Sequence, residues 1–371
     1  MAEPFVKKTY FAMTLDPVHI GTGGYRLGRV DNTITREPGT NLPKIPGSSI
    51  AGVTRAYTAM AIQNGNFIEI KDGKICLKIY SKLKYQRPAY QLKISDDKKT
   101  ATVKKNPKGE LLYLGDKPEE PKYYSCAGKG ADDGEGHCGN PDCEVCVSFG
   151  FSKGKSNLSF QGLTQFYDAR ILFFPVHSMI GPVWVTSPSI LMEHNKVIKL
   201  ADLNKFKSFG RADLINNGLN FGWLMLESEG TETLDDLFPD VSKDIKDSLF
   251  VVSDKIFSRI VNDNLEVRTS VAIDPATGAA EDGALYTYEA IPRATVMWFD
   301  VVYNKPEYFR INGQEIMEDV ANKLKADSGW IQTNVEKGLA YFEYLGIGGM
   351  NTRGMGRLRI LNMGGQSNGN T

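Results

Sequence analysis

The sequence contains no apolar run approaching the roughly 20 residues that a bilayer-spanning helix needs. Lysines stand at positions 7 and 8, but no apolar signal core or cleavage site follows them. These absences predict a cytoplasmic protein with no membrane among its partners. Net charge is lacking too: 44 basic residues balance 44 acidic ones, and the pI is near 6.9. That balance counts against nucleic-acid binding through overall basicity and leaves room only for a local basic groove. No internal repeat of fixed period is present.

What the chain does have is unevenly placed. From Lys71 to Lys108 lysine dominates, with Asp72, Asp96 and Asp97 the main acidic interruptions, so the stretch 66–125 reads as a solvated insertion with short strands. There are five cysteines; Cys76 stands alone, and the other four fall between residues 126 and 146. Cys126, Cys138, Cys143 and Cys146 form a C-x11-C-x4-C-x2-C array, and clustered cysteines in a cytosolic chain point to metal rather than disulfides. Four thiolates can complete a tetrahedral zinc shell, with the last pair at knuckle spacing. Gly128, Gly130, Gly134, Gly136 and Gly139 would let a short loop wrap tightly round the ion. His137 is an alternative to Cys138 as the fourth ligand. A segment this poor in apolar residues cannot fold on a core, so the zinc is expected to be structural.

Residues 8–16 alternate as a half-buried strand and lead into Val18-His19-Ile20-Gly21-Thr22-Gly23-Gly24, a glycine-rich turn. Gly28-Arg29-Val30-Asp31-Asn32 follows, and then a helix in which Ser48 or Ser49 is expected to cap the N-terminus. Ile50, Val53, Tyr57 and Met60 recur at helical spacing to Asn64-Gly65, with Arg55 off that stripe and free to face solvent or a phosphate. Stretches 166–177 and 182–187 read as core strands, and 189–249 as short helical patterns with loops. Leu265 to Ile273, the turn Asp274-Pro275-Ala276-Thr277-Gly278, and a return over Gly283 to Glu289 and Thr295 to Val302 predict a long hairpin. Helices are expected over 314–326 and 333–345. A second glycine-rich loop then runs from Gly346 to Arg357, offering backbone N–H groups, Arg353 and Arg357 to a phosphate. It lacks the Gly-Lys-Ser/Thr ending of a P-loop, which speaks against an ATPase. A strand from Leu358 to Leu361 and a Gly/Ser/Asn tail close the chain.

Asp31, between Arg29 and Arg36, is the candidate for phosphodiester chemistry. A carboxylate can act as base or hold a divalent metal while arginines stabilise charge on the phosphate. The alternative is a turn aspartate bonded to its own backbone. His19 reads either as a proton carrier or as a core histidine bonded to the main chain.

Three stretches carry a family resemblance. Ile45-Pro46-Gly47-Ser48-Ser49-Ile50-Ala51-Gly52-Val53-Thr54-Arg55, the loop ending in Asp31, and the terminal glycine-rich loop together resemble the RAMP superfamily, the repeat-associated RNA-binding proteins of CRISPR effector complexes. Cys143-Glu144-Val145-Cys146-Val147-Ser148-Phe149-Gly150 and Phe166-Tyr167-Asp168-Ala169-Arg170 resemble type III backbone subunits. Phe174 to Ser178 and Trp184 to Pro188 are similar to the III-B form, while the cysteine knuckle resembles III-D and III-E relatives.

The resemblance implies an α+β fold: a modified ferredoxin-like, RNA-recognition-motif palm over 1–65, 147–188 and 299–362. It further implies a lysine-rich insertion with zinc knuckle over 66–146, a helical insertion over 189–263, a β-hairpin thumb over 264–298 and a flexible tail over 363–371. The implied partners are guide RNA (crRNA), complementary target RNA, other effector subunits and copies of the chain itself. Asp31 would cut the target with a divalent cation, Mg2+ or Mn2+, supported by His19. RNA contacts are expected from Gly21, Gly23, Arg29, Arg36, Ser48, Ser49, Arg55, Tyr286, Tyr288, Glu289, Arg353 and Arg357. Ala51 stands where the family often has a guide-binding lysine, which shifts that contact to Arg55, Arg353 or the lysine-rich insertion. Two other readings stay open: an architectural RNA-binding subunit without catalysis, and a stand-alone, metal-independent processing endonuclease of precursor guide RNA.

Overall fold

The computed structural model of the chain describes residues 3–23, 30–65, 68–71, 74–77, 91–94, 100–105, 108–113, 126–128, 136–141, 143–154, 157–210, 218–234, 237–316 and 326–363. Arg29, most of the 314–326 helix and the tail from 364 lie outside the described residues. The chain divides into a larger unit (Lys7–Ile50, Phe166–Val301, Ala340–Thr371) and a smaller one (Met1–Val6, Ala51–Gln165, Val302–Leu339).

The larger unit is built on one mixed sheet. Its strands are β1 (Phe5–Thr14), β2 (Lys44–Ile45), β3 (Ala169–Ser178), β4 (Gly181–Thr186), β5 (Lys205–Ser208), β6 (Leu219–Phe221), β7 (Leu224–Thr231) and β8 (Leu249–Val252). A separate hairpin comprises β9 (Glu266–Ile273) and β10 (Ala280–Ala290), after which β11 (Val296–Asn304) and β12 (Leu358–Ile360) return to the sheet. The order is β6-β7-β5-β8-β4-β3-β11-β1-β12, with β2 beside β3. β3 and β11 read as near-continuous apolar runs because they are central and buried on both faces. Tyr10 of β1 stacks on Phe299 of β11 with centroids 5.5 Å apart. Phe206, Phe221 and Phe250 meet edge to face at 5.3–5.6 Å, each fully buried ring contributing about 1.5–3 kcal/mol.

Two expectations change. The 189–263 stretch is not mainly helical: β5 to β8 extend the sheet, with β5 parallel to β7 and β4 parallel to β8. These strands are three to eight residues long; Leu249–Val252 is buried throughout, and the alternation in Lys205–Ser208 and Leu219–Phe221 spans too few residues to mark a strand in the sequence. The hairpin is also shorter than expected, because Val296–Asn304 is a sheet strand.

The smaller unit holds most of helix α1 (Gly47–Gly65), short antiparallel strands between Ile68 and Tyr113, and helix α2 (Glu144–Phe149) against helix α3 (Ser328–Leu339). Gly338 of α3 allows close approach to α1, since a Cβ there would strike Thr54 O and Thr58 Oγ1. Among the described residues no helix is long and apolar enough to cross a membrane.

Candidate RNA-cleavage site and cysteine cluster

Residues 20–22 and 33–35 pair with each other: Thr22 N–H donates to Thr33 O and Thr35 N–H to Ile20 O. The outgoing arm then runs beside the base of the hairpin, where Asn32 N–H donates to Thr287 O and Glu289 N–H to Asn32 O. This places Asp31, which is exposed, against Thr287. The Thr287 backbone N–H and Oγ1 each donate to Asp31 Oδ2 at 2.8 Å, while Oγ1 accepts from Asp31 N–H at 2.9 Å. These bonds, the backbone one first, hold the Asp31 carboxyl below the usual aspartate range, so it is ionised at neutral pH. The turn-aspartate alternative is not what holds it; its partner lies 256 residues away.

His19 is 7% exposed, with Nδ1 2.6 Å from Glu289 O and its ring edge-on to Tyr288. The carbonyl fixes the proton on Nδ1 and leaves Nε2 as the basic nitrogen of the neutral ring. Glycines wall this ring: a Cβ at Gly21 would stand 3.1 Å from Nε2, and one at Gly348 would collide with His19 O. Gly349 N–H donates to that same oxygen. The terminal loop thus packs on His19. The N–H groups of residues 346, 347, 349, 353 and 356 are bonded within the chain, so the loop is not the open row of phosphate donors that its sequence suggests.

Arg36 is likewise committed. It pairs with Glu289 at 2.6 Å and donates to Ile34 O and Asn262 Oδ1. Arg357 forms a two-bond pair with Asp16, and its hydrogen bond lowers the Asp16 pKa. Arg268 and Arg293 add to the positive field at Asp16, and Arg268 Nη1 donates to Gly354 O, next to exposed Arg353. Arg268 is itself paired with Glu266 at 2.6 Å, whereas Arg353 has no ion-pair partner among the described residues. Sequence reading missed Arg268 and Arg293.

Ser48 and Ser49 do not cap α1; they lie inside its first turn, exposed and half-buried respectively. The cap comes from Asp168, whose Oδ1 accepts from Gly47 N–H at 2.8 Å while Oδ2 pairs with Lys44. Gly47 is required there because a Cβ would strike Phe166 O. On the hairpin, directly paired residues share a face. The register puts Arg268, Ser270, Tyr286 and Tyr288 on one face and Thr269, Val271, Leu285 and Thr287 on the other. Tyr286 and Leu285 are exposed.

In the smaller unit, the Sγ atoms of Cys126, Cys138, Cys143 and Cys146 lie within 4.8 Å of one another. The separations are 3.6 Å (138–146), 3.7 Å (126–146) and 3.9 Å (126–143), far beyond a disulfide of about 2.05 Å. Cys146 N–H donates to Cys143 Sγ, as the two-residue spacing dictates. Bonding from the other thiols lowers the Cys126 pKa, and Cys126 in turn pushes Cys143 and Cys146 up. Four thiolates this close need a cation, and the cluster can hold a metal. His137 is turned away to Arg55 Nη2, while Arg55 Nε donates to Cys126 O. Arg55, expected on RNA, buttresses the cysteine loop instead; burial lowers its pKa and the cluster cysteines raise it.

A sequence profile of the RAMP superfamily matches residues 11–359. The chain belongs to the RAMP superfamily. One relative is the CRISPR system Cmr endoribonuclease Cmr4 of Pyrococcus furiosus, 22% identical over 94% of this chain and 92% of that protein. Two cryo-EM structures share the fold. The type III-B Cmr-beta complex in the apo state contains a chain 14% identical with a TM-score of 0.54, covering 96% of this chain and 97% of that one. Cmr-beta bound to cognate target RNA contains one at 14% and 0.53, covering 97% and 99%. The mixed α+β fold with its central sheet is thus one that these structures share.

Proposed function

We propose that this chain is the guide-RNA-binding backbone subunit of a type III-B CRISPR effector and cleaves complementary target RNA at Asp31. The observation that carries the proposal is an exposed, ionised carboxylate fixed at the base of a protruding hairpin, in a chain similar over nearly its whole length to a Cmr endoribonuclease. The proposed division is the palm, insertions and thumb named from the sequence, with the 189–263 stretch mixing short helices and strands.

The chemistry of the donor set fits a divalent cation. Mg2+ or Mn2+ is a hard ion that keeps most of its waters and needs one or two carboxylates plus phosphate oxygens, which an exposed Asp31 can share. Such an ion would neutralise charge on the scissile phosphate and activate the attacking oxygen. Asp31 binds and orients it, or takes the proton of the attacking hydroxyl. His19, held through Nδ1 by Glu289 O, is the candidate proton carrier. Gly21 and Gly23 allow close approach of the RNA backbone, and the Ser48 and Ser49 hydroxyls, with Arg353, take phosphates. Tyr286 offers a ring for a base to stack on.

The cysteine cluster fits zinc. Four sulfurs about 2.3 Å from one ion stand about 3.8 Å apart, and the three separations bracket that value. Zinc here is structural, tying the loop to α2.

The test is target cleavage by the reconstituted complex, with guide and partner subunits, carrying Asp31→Ala. Cutting falls by at least about 100-fold, as expected for loss of the reacting carboxylate. Unchanged cutting would leave an architectural subunit.

A further inference from the structure

We infer that Thr287 is the positioning residue of the cleavage site: its hydroxyl and backbone N–H hold the Asp31 carboxylate, so the aim of that carboxylate follows the hairpin base. The inference rests on the reading of Asp31 as the cleaving group.

An exposed aspartate on a glycine-bordered loop would ordinarily exchange among rotamers. Here three hydrogen bonds to one residue remove that freedom. The Thr287 hydroxyl accepts from Asp31 N–H and donates a hydrogen bond to Oδ2, while the Thr287 N–H donates to the same oxygen. Both donors land on Oδ2, which directs Oδ1 toward other ligands. The main chain locks the pair on either side: Asn32 N–H donates to Thr287 O, and Glu289 N–H donates to Asn32 O. The segment 31–32 and the strand 287–289 must therefore move together.

Thr287 itself is half-buried, but its hairpin face opens toward the tip. It pairs directly with Thr269 and shares its hairpin face with exposed Val271 and Leu285. A duplex pressing on that face loads the strand that holds Asp31. The hairpin is thus mechanically joined to the reacting group, and the link is one side chain and one peptide.

The test is single-turnover cleavage by the assembled complex at saturating target, beside target affinity, for Thr287→Val, Thr287→Ser and Asp31→Ala. Valine keeps the branched shape and the backbone N–H but loses the hydroxyl. It is expected to cut on the order of 10-fold slower, with target affinity unchanged. Serine restores the hydroxyl and the rate. A merely structural role would weaken target binding along with the rate. If valine proves unfolded, Thr287→Ala carries the same expectation with less side chain to misplace. Wild-type cutting by a folded Thr287→Val or Thr287→Ala complex while Asp31→Ala is dead overturns the inference and leaves the cleavage reading standing. Wild-type cutting by Asp31→Ala overturns the cleavage reading, and the inference falls with it.

Discussion

Glu289 is 5% exposed, and its carboxylate closes on Arg36 at 2.6 Å while Oε2 also accepts from Ile34 N–H. Its own carbonyl receives His19. One residue therefore joins the Asp31 loop, the first strand exit and the hairpin. Removing its charge strands a guanidinium that is only one-fifth exposed. Glu289→Gln is expected to lower stability by about 2 kcal/mol, less than a fully buried pair because Arg36 keeps some water. Urea midpoints measure it, and an unchanged midpoint would mean the pair contributes nothing. Arg36 and Arg357 also show why charge alone misleads in a sequence. Both look available to phosphate between glycines, but each finds a carboxylate, Glu289 or Asp16, more than 250 positions away. The arginines that add to the field without sitting in a glycine motif, Arg268 and Arg293, are invisible until the fold is known.

At the scale of elements, helix α1 begins where Asp168 accepts from Gly47 N–H, 121 residues distant. Burial pushes the Asp168 carboxyl up, but the Lys44 ammonium and the Gly47 N–H outweigh it and hold it below the usual range. Its contribution is therefore in force above the unfolded aspartate pKa of about 3.9 and is lost as pH falls through the lower folded value. Asp168→Ala is expected to cost about 1 kcal/mol at neutral pH, as for other N-caps. Thermal melts should show the gap to wild type closing below about pH 4. The cysteine loop makes a second element-scale prediction. If the cluster holds zinc as proposed, elemental analysis should find one zinc per wild-type chain, and Cys143→Ser is expected to abolish it and to expose the 126–146 loop to protease; zinc retained by the variant would exclude Cys143 from the ligand set. The spacing C-x2-C and the surrounding glycines made this element legible from sequence, because its ligands are local. The hairpin was legible for the same reason: Asp274 caps its own turn, with Oδ1 accepting from Ala276 N–H and Gly278 at φ 68°. The sheet strands β5 to β8 were not, since short strands in partly parallel pairing carry no period of their own.

For the whole molecule, the proposed function requires a chain with no net charge to bind RNA by placement rather than by amount. The palm sheet presents in one unit the Asp31 loop, the opening turn of α1, the hairpin base and the arginine edge at residues 268, 293 and 353. The family pattern read from motifs and the fold agree because those motifs are the segments that backbone geometry constrains most: Gly47 against Phe166 O, Gly348 against His19 O. What the motifs could not supply is which side chains those segments meet. The central claim is that this chain is the guide-carrying backbone of its complex. The most direct measurement is to purify it from its native host and sequence the RNA that accompanies it. Repeat-derived guides of regular length are expected; a folded protein that comes out free of RNA would contradict the guide-carrying role.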